Sequence, residues 1–285
     1  MRISNLLAAA LIVSVPVAAA AQQHRGHRHD NSREDWMEDC QRDRGNRWSD
    51  RDSRGKHCEE RVIGWRAAGG QALAVDAGPN GGVTVSGWDR DSVHVIVRIQ
   101  ARAGSDEEAR ELAGRIRVNR EAGDLSAEGP DSRRYASWSV SYEIYAPTRT
   151  DLRLSTVNGP LAVEDMVSRM TLEVQNGPLS LQHVGGDVRA RAQNGPLHVE
   201  LMGSRWEGAG LDASTQNGPI VLEVPENYNA ELETGTVNGP MDVGFPVTVQ
   251  GRFGGRNRRL TTRLGEGGPM IRAVTTNGPA VIRRI

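Results

Sequence analysis

From residue 150 onwards, apolar residues recur at every second position in short runs, and one triplet keeps breaking the runs. Asn158-Gly159-Pro160, Asn176-Gly177-Pro178, Asn194-Gly195-Pro196, Asn217-Gly218-Pro219, Asn238-Gly239-Pro240 and Asn277-Gly278-Pro279 stand 18, 18, 23, 21 and 39 residues apart. Asn80-Gly81-Gly82 is a related copy upstream, and Gly267-Gly268-Pro269 a degenerate one inside the longest interval. Six, four and two residues before each Asn lie aliphatic or small side chains, as in Met170, Leu172 and Val174. Three and five residues after it lie others, as in Leu179 and Leu181. The residues between are mostly polar. An alternation of period two predicts strands with one buried face, so each repeat reads as strand, Asn-Gly-Pro corner, strand.

Two architectures use such a unit. Asn-Gly is the usual centre of a two-residue hairpin turn, but the residue after Gly must then donate a backbone N–H, which Pro lacks. In the other, each repeat is one coil of a β-solenoid. Gly supplies a positive φ at the corner and Pro opens the next strand. The proline favours the second reading. The expected fold class is therefore all-β, a solenoid-like stack of 18–23-residue repeats over 63–285. Counted by parity, the Asn side chains fall on the inner side, where rung-to-rung hydrogen bonds would satisfy their amides.

Upstream of the regular repeats, Val93, Val95, Val97 and Ile99 alternate as a strand, and Trp138, Val140, Tyr142 and Ile144 as another. Between them a short helix is expected near 105–117, with Ser105 as N-cap and Glu108 completing a capping box. Ala109, Leu112, Ala113 and Ile116 form its buried stripe. This insertion is expected to pack against or cap the stack, and Arg283 and Arg284 to discourage association at the opposite end.

Residues 1–21 have the marks of a secretory signal: Arg2, an apolar run from Leu6 to Val17, and Ala18 to Ala21 before Gln22. That predicts export, to the periplasm or the cell surface, with no membrane span in the mature chain. Residues 22–62 form a charged lead-in with almost no aliphatic side chains, which cannot bury enough surface to fold alone. Trp36 and Trp48, with Trp65 beyond, are its candidate docking points. Outside the cytoplasm a lone pair of cysteines, Cys40 and Cys58, is expected to form one disulfide. A metal reading would enlist His24, His27, His29 and His57 beside them.

The formal net charge of -1, from 35 Lys plus Arg against 36 Asp plus Glu, argues against a nucleic-acid binder. Only 12 of the 285 residues are aromatic, 6 Trp, 4 Tyr and 2 Phe, so the core must be aliphatic. No phosphate loop, nucleophile elbow or zinc-protease helix is present, and no cofactor is expected. For a glycan-acting enzyme on this scaffold, Asp151, Glu164, Asp165, Asp187, Glu200 and Glu223 are the available carboxylates. Their positions read as outward or in loops, where a carboxylate is normally solvated. Glu173 and Glu200 are expected to pair with Arg153, Arg189 or Arg191 across neighbouring coils, and His183 and His198 to lie on the surface.

The repeats resemble the bacterial family of exported proteins known as putative-adhesin domains of unknown function. Besides the triplets, the likeness is carried by Cys58-Glu59-Glu60-Arg61, Asp76 to Gly82, Val140 to Ala146 and Leu232 to Pro240. It spans roughly 58–285. The family often has Gly or Asp after Asn-Gly, where this chain has Pro. The resemblance implies a β-rich envelope protein with no catalytic residues. The functional expectation is a non-enzymatic binding or scaffold protein whose partner is an envelope polysaccharide or another envelope protein. A glycan-acting enzyme and an envelope-stress regulatory component are the alternatives.

Overall fold

The computed structural model describes residues 36–40, 55–133, 135–246 and 258–285. The signal segment, His24, His27, His29 and Trp48 lie outside the described residues. The chain divides into two compact units at Trp48 and Ser49. In the first, 36–40 is helical, with Trp36 half-buried and Cys40 buried. Cys40 and Cys58 are both disulfide-bonded, so no free cysteine is present and the thiolate-metal reading fails.

Among its described residues, the second unit is all-β apart from one helix. Its described strands make two ten-stranded sheets. Sheet I runs in the order β1 (Gly55–Arg66), β4 (Ser92–Ala103), β7 (Ser137–Pro147), β3 (Val83–Trp88), β9 (Leu161–Glu164), β11 (Leu179–Gln182), β13 (Leu197–Glu200), β15 (Ile220–Val224), β20 (Ala280–Arg284) and β17 (Met241–Val243). Sheet II runs β18 (Arg258–Leu264), β16 (Ala230–Asn238), β19 (Met270–Asn277), β14 (Gly210–Asn217), β12 (Gly185–Asn194), β10 (Val167–Asn176), β8 (Leu152–Asn158), β2 (Leu73–Asp76), β6 (Asp124–Glu128) and β5 (Arg117–Glu121). β1 begins at Gly55, so the last residues of the charged lead-in pair with β4.

Every Asn-Gly-Pro carries the chain from sheet II to sheet I. The strands on its two sides lie in different sheets, which excludes the hairpin. Each repeat instead pairs parallel and in register with its neighbours, so that Leu172 faces Leu154 and Ala190, and Leu181 faces Val163 and Val199. The alternating apolar positions of both sheets share one core, which includes Met170, Leu172, Leu181, Leu197 and Leu222. Of the +3 and +5 positions, Met241 and Val243 are only half-buried, because β17 is an edge strand.

At the corners the structure differs from the parity count in one respect. The Asn side chains are exposed, not inward. Strand pairing skips the residue before each Asn: Val174 faces Ala192 and Asn176 faces Asn194, with Gln175 between them unpaired. This break shifts the Asn outward, where it joins an edge ladder. Asn176, Asn194, Asn217 and Asn277 each donate Nδ2 to Oδ1 of the Asn before them in the stack, at 2.8–2.9 Å, and Asn238 donates to Asn277 at 2.8 Å. Thr156, Thr215, Thr236 and Thr275, two residues before their Asn, donate instead to the carbonyl of a neighbouring corner glycine.

Stacking order also departs from chain order. β19 and β20 insert between the repeat of β14–β15 and that of β16–β17. Among the described residues, the 39-residue interval holds no extra coil. Between β17 and β19 its described strand is β18, which pairs antiparallel with β16, and Gly267-Gly268-Pro269 lies in the turn that leads to β19 rather than at a repeat corner. Arg283 and Arg284 therefore lie on an interior strand and guard no edge; Arg284 stacks over Phe245, 4.7 Å from the ring centre.

At the other end, β4 and β7 extend sheet I as long antiparallel strands, and the helix Asp106–Gly114 packs on β1 and β4. Ser105 caps it by accepting from Glu108 N–H, Glu108 accepts from Gly104 N–H, and Ala109, Leu112, Ala113 and Ile116 are buried as expected. The helix has no basic residue in its last turn. Arg61 of β1 supplies the missing cation, donating to the Ile116 carbonyl at 2.9 Å.

Candidate functional site

In-register stacking turns each outward position into a row of side chains about 4.8 Å apart. On the outer face of sheet I one row runs His94, Tyr145, Ser86, Glu164, Gln182, Glu200, Glu223, Arg283. The next runs Glu143, Thr84, Ala162, Ser180, His198, Val221, Val281. Aromatic groups collect at one end of this face and carboxylates along it.

The aromatic end is Trp88, His94 and Tyr145. Trp88 and Tyr145 stand 5.6 Å apart at 30°, and His94 is 6.3 Å from each. All three are half-buried, with one side of the group towards solvent. Trp88 Nε1 donates to the Ser92 carbonyl at 2.8 Å, and Arg90 lies 4.9 Å from the indole centre. Tyr145 donates its hydroxyl to Glu143 at 2.7 Å, and the same carboxylate takes Arg98 at 2.9 Å, which also reaches Glu60 at 3.6 Å. Burial foremost, then the bond to Glu143 and its charge, pushes the Tyr145 hydroxyl far above the usual tyrosine range; Arg98 opposes this and Glu164 adds to it. The phenol is thus a fixed neutral group, oriented from the adjoining row of the same face by an ion-pair network.

Along the face, His183 Nδ1 lies 3.2 Å from Asp165 and its Nε2 3.6 Å from Glu200, while His198 Nε2 lies 3.1 Å from Glu223. His183 and Asp165 both occupy turns with positive φ, at 52° and 54°, one repeat apart. Of the six carboxylates expected from the sequence, four (Glu164, Asp165, Glu200 and Glu223) come together here. Asp151 and Asp187 belong to the sheet II side, where Asp151 accepts from Arg169 N–H at 3.0 Å. The expected pairing of Glu200 with Arg189 or Arg191 fails for the same reason: Glu200 is on sheet I and those arginines on sheet II. Glu173 does lie opposite Arg191 in the sheet II register. Residue spacing predicted which side chains point outward, but it does not say which outward face they share.

The row of carboxylates lies on an open sheet face. Among the described residues, no group of three or more His, Cys, Asp or Glu side chains is placed to hold a metal ion. None of the described helices is long and apolar enough to cross a membrane. The aromatic group was not singled out from the sequence. Its signal was Trp88 at a strand end and His94 and Tyr145 at outward positions of strands that were themselves legible.

No family model matches the chain, and no curated protein matches it. Solved structures similar to it include a putative cell adhesion protein from Clostridium sporogenes, 11% identical with a TM-score of 0.38, covering 80% of this chain and 100% of that one. A putative adhesin from Bacteroides fragilis is 16% identical with a TM-score of 0.33, covering 80% and 97%. A putative lipid binding protein from Parabacteroides distasonis is 9% identical with a TM-score of 0.30, covering 80% and 96%. The first two are of the kind that the sequence resembles.

Proposed function

We propose that the chain is an exported, non-enzymatic envelope protein: a signal segment over 1–21, a charged lead-in over 22–62, and a β-solenoid binding domain over 63–285 that holds envelope polysaccharide on the outer face of sheet I. The solenoid reading is supported by parallel, in-register pairing at the repeat interval and by corners that pass the chain from sheet to sheet. The single observation that carries the binding reading is the placement of Trp88, His94 and Tyr145 at the head of a straight row of polar side chains. Aromatic rings offer flat apolar area with polar edges, which suits the C–H face of a sugar. The carboxylates, Gln182 and the histidines offer hydrogen-bond partners for hydroxyls at a regular step. A flat, repeating face suits an extended polymer better than a small molecule, which needs a concave site.

The test is affinity measurement between the purified protein and fractionated envelope polysaccharides. Wild type should bind at least one fraction, and Trp88→Ala should weaken that binding about tenfold, the loss expected of a central aromatic contact, with the strand signal in circular dichroism retained at the temperature of the assay. A wild type that binds no fraction, or a variant that binds as well as wild type, would overturn this reading. Shortening of the polymer on incubation would instead favour the enzyme, for which the His198–Glu223 and His183–Asp165 pairs would be the groups to substitute.

A further inference from the structure

The outer face of sheet II carries a different feature. Arg191, Ser214, Val274, Gly235 and Arg259 lie opposite one another across β12, β14, β19, β16 and β18. In the middle of this row Ser214 and Val274 are short and Gly235 has no side chain, while the two ends are arginines. The result is a hollow of about 190 Å³, walled by Arg191 and Arg259 and flanked by Arg272 from the adjoining row.

Two of the three guanidinium groups are held in place from behind. Arg272 contacts Asp212 through Nη1 and Glu233 through Nε, and Arg259 contacts Glu233 at 3.3 Å. Arg191 has no ion-pair partner among the described residues. The hollow therefore has three guanidinium groups against the two carboxylates that pair with them, and the unpaired one, Arg191, has Glu173 of β10 opposite it on the side away from the hollow. Its volume is below the roughly 300 Å³ at which small-molecule sites begin, which suits one charged group or one sugar ring.

We infer that this hollow is an oxyanion site, which takes a single carboxylate or phosphate group borne by a ligand that lies along sheet II. Arginine's planar fork binds either group through paired N–H donors, and two of the three here are already held by ion pairs before any ligand arrives. The site is on the opposite sheet from the aromatic face and does not depend on it.

The test titrates the full chain with a galacturonate oligomer, the neutral galactose oligomer of equal length, and inorganic phosphate, at low salt and again at high salt. The galacturonate oligomer or phosphate should bind and the neutral oligomer should leave the hollow untouched; the stronger of the two anions tells carboxylate from phosphate. Two variants read the site. Arg191→Gln breaks no ion pair and should weaken the anion about tenfold. Gly235→Thr keeps every charge in an extended strand residue but fills the hollow, and should weaken the anion as much or more. If neither anion binds, or if Gly235→Thr binds as wild type does, the proposal is overturned; the latter result would mean diffuse attraction to a basic face. Because Trp88 is untouched, neutral-polysaccharide binding should persist in both variants, which separates failure here from failure of the aromatic face.

Discussion

A methyl group added at a corner glycine would meet the neighbouring corner's backbone. The added carbon would lie 2.0 Å from the Gly177 oxygen at Gly195, 2.1 Å from the Gly81 oxygen at Gly159 and 2.0 Å from the Gly278 oxygen at Gly239. Positive φ was the reason read from the sequence, and Gly177, Gly195, Gly218 and Gly278 do have φ of 153–158°. The clash, however, is shared by all six, so the stronger demand is close approach between rungs, which no local pattern reveals. Gly195→Ala should cost about 3 kcal/mol, the upper end for overpacking, since backbone cannot move aside. Asn194→Ala removes two solvent-exposed hydrogen bonds and should cost only about 1 kcal/mol. Denaturant unfolding of the two variants checks the order; equal losses would contradict it. Tyr142 makes the opposite case: its side chain is buried in the core, yet its hydroxyl has no hydrogen-bond partner among the described residues. Tyr142→Phe should leave stability unchanged or raise it by about 1 kcal/mol, as read by the same unfolding curve.

Among the elements, strands and helix were legible because alternation and capping are local signals. Met170, Leu172 and Val174 could only be a one-faced strand, and Ser105 with Glu108 could only open a helix. Stacking order was not legible, because every Asn-Gly-Pro unit presents nearly the same edge to its neighbours. What the spacing leaves undetermined is decided in the structure by β18, whose antiparallel pairing covers the far side of β16 and leaves its near side for β19. It follows that β19 and β20, the last strands in the sequence, are interior strands of their sheets. Deleting residues 270–285 should expose both β14 and β16, and hydrogen exchange should then speed up across 230–243 and 258–264 while 152–200 keep their protection. Were the chain's end the stack's end, only fraying would follow. Protection retained at 230–243 would mean that β16 re-pairs with β14 directly.

Across the molecule, the inner surface was readable from single residues and the outer surface was not. The core needs only apolar identity at alternate positions, whereas a surface site needs to know which strands are neighbours. Glu164, Glu200 and Glu223 become one row, and Arg191 and Arg259 opposite walls of one hollow, only once the register is set. A property of the whole fold follows from three of its four phenols, two buried and one half-buried. Burial foremost raises the hydroxyls of Tyr142, Tyr145 and Tyr228 well above their ordinary value of 10.0, with Asp76 adding at Tyr142 and Glu143 at Tyr145. In the unfolded chain these groups ionise near pH 10; in the folded chain they stay neutral. Their contribution to stability is therefore complete below about pH 10 and is lost as pH rises above it, because the unfolded state releases protons that the folded state keeps. Three of the four tyrosines should gain tyrosinate absorbance only together with the loss of the strand signal in circular dichroism. Absorbance from more than one tyrosine that rises near pH 10 while the strand signal holds would show that water reaches these hydroxyls in the folded state, since only Tyr135 among the four is exposed.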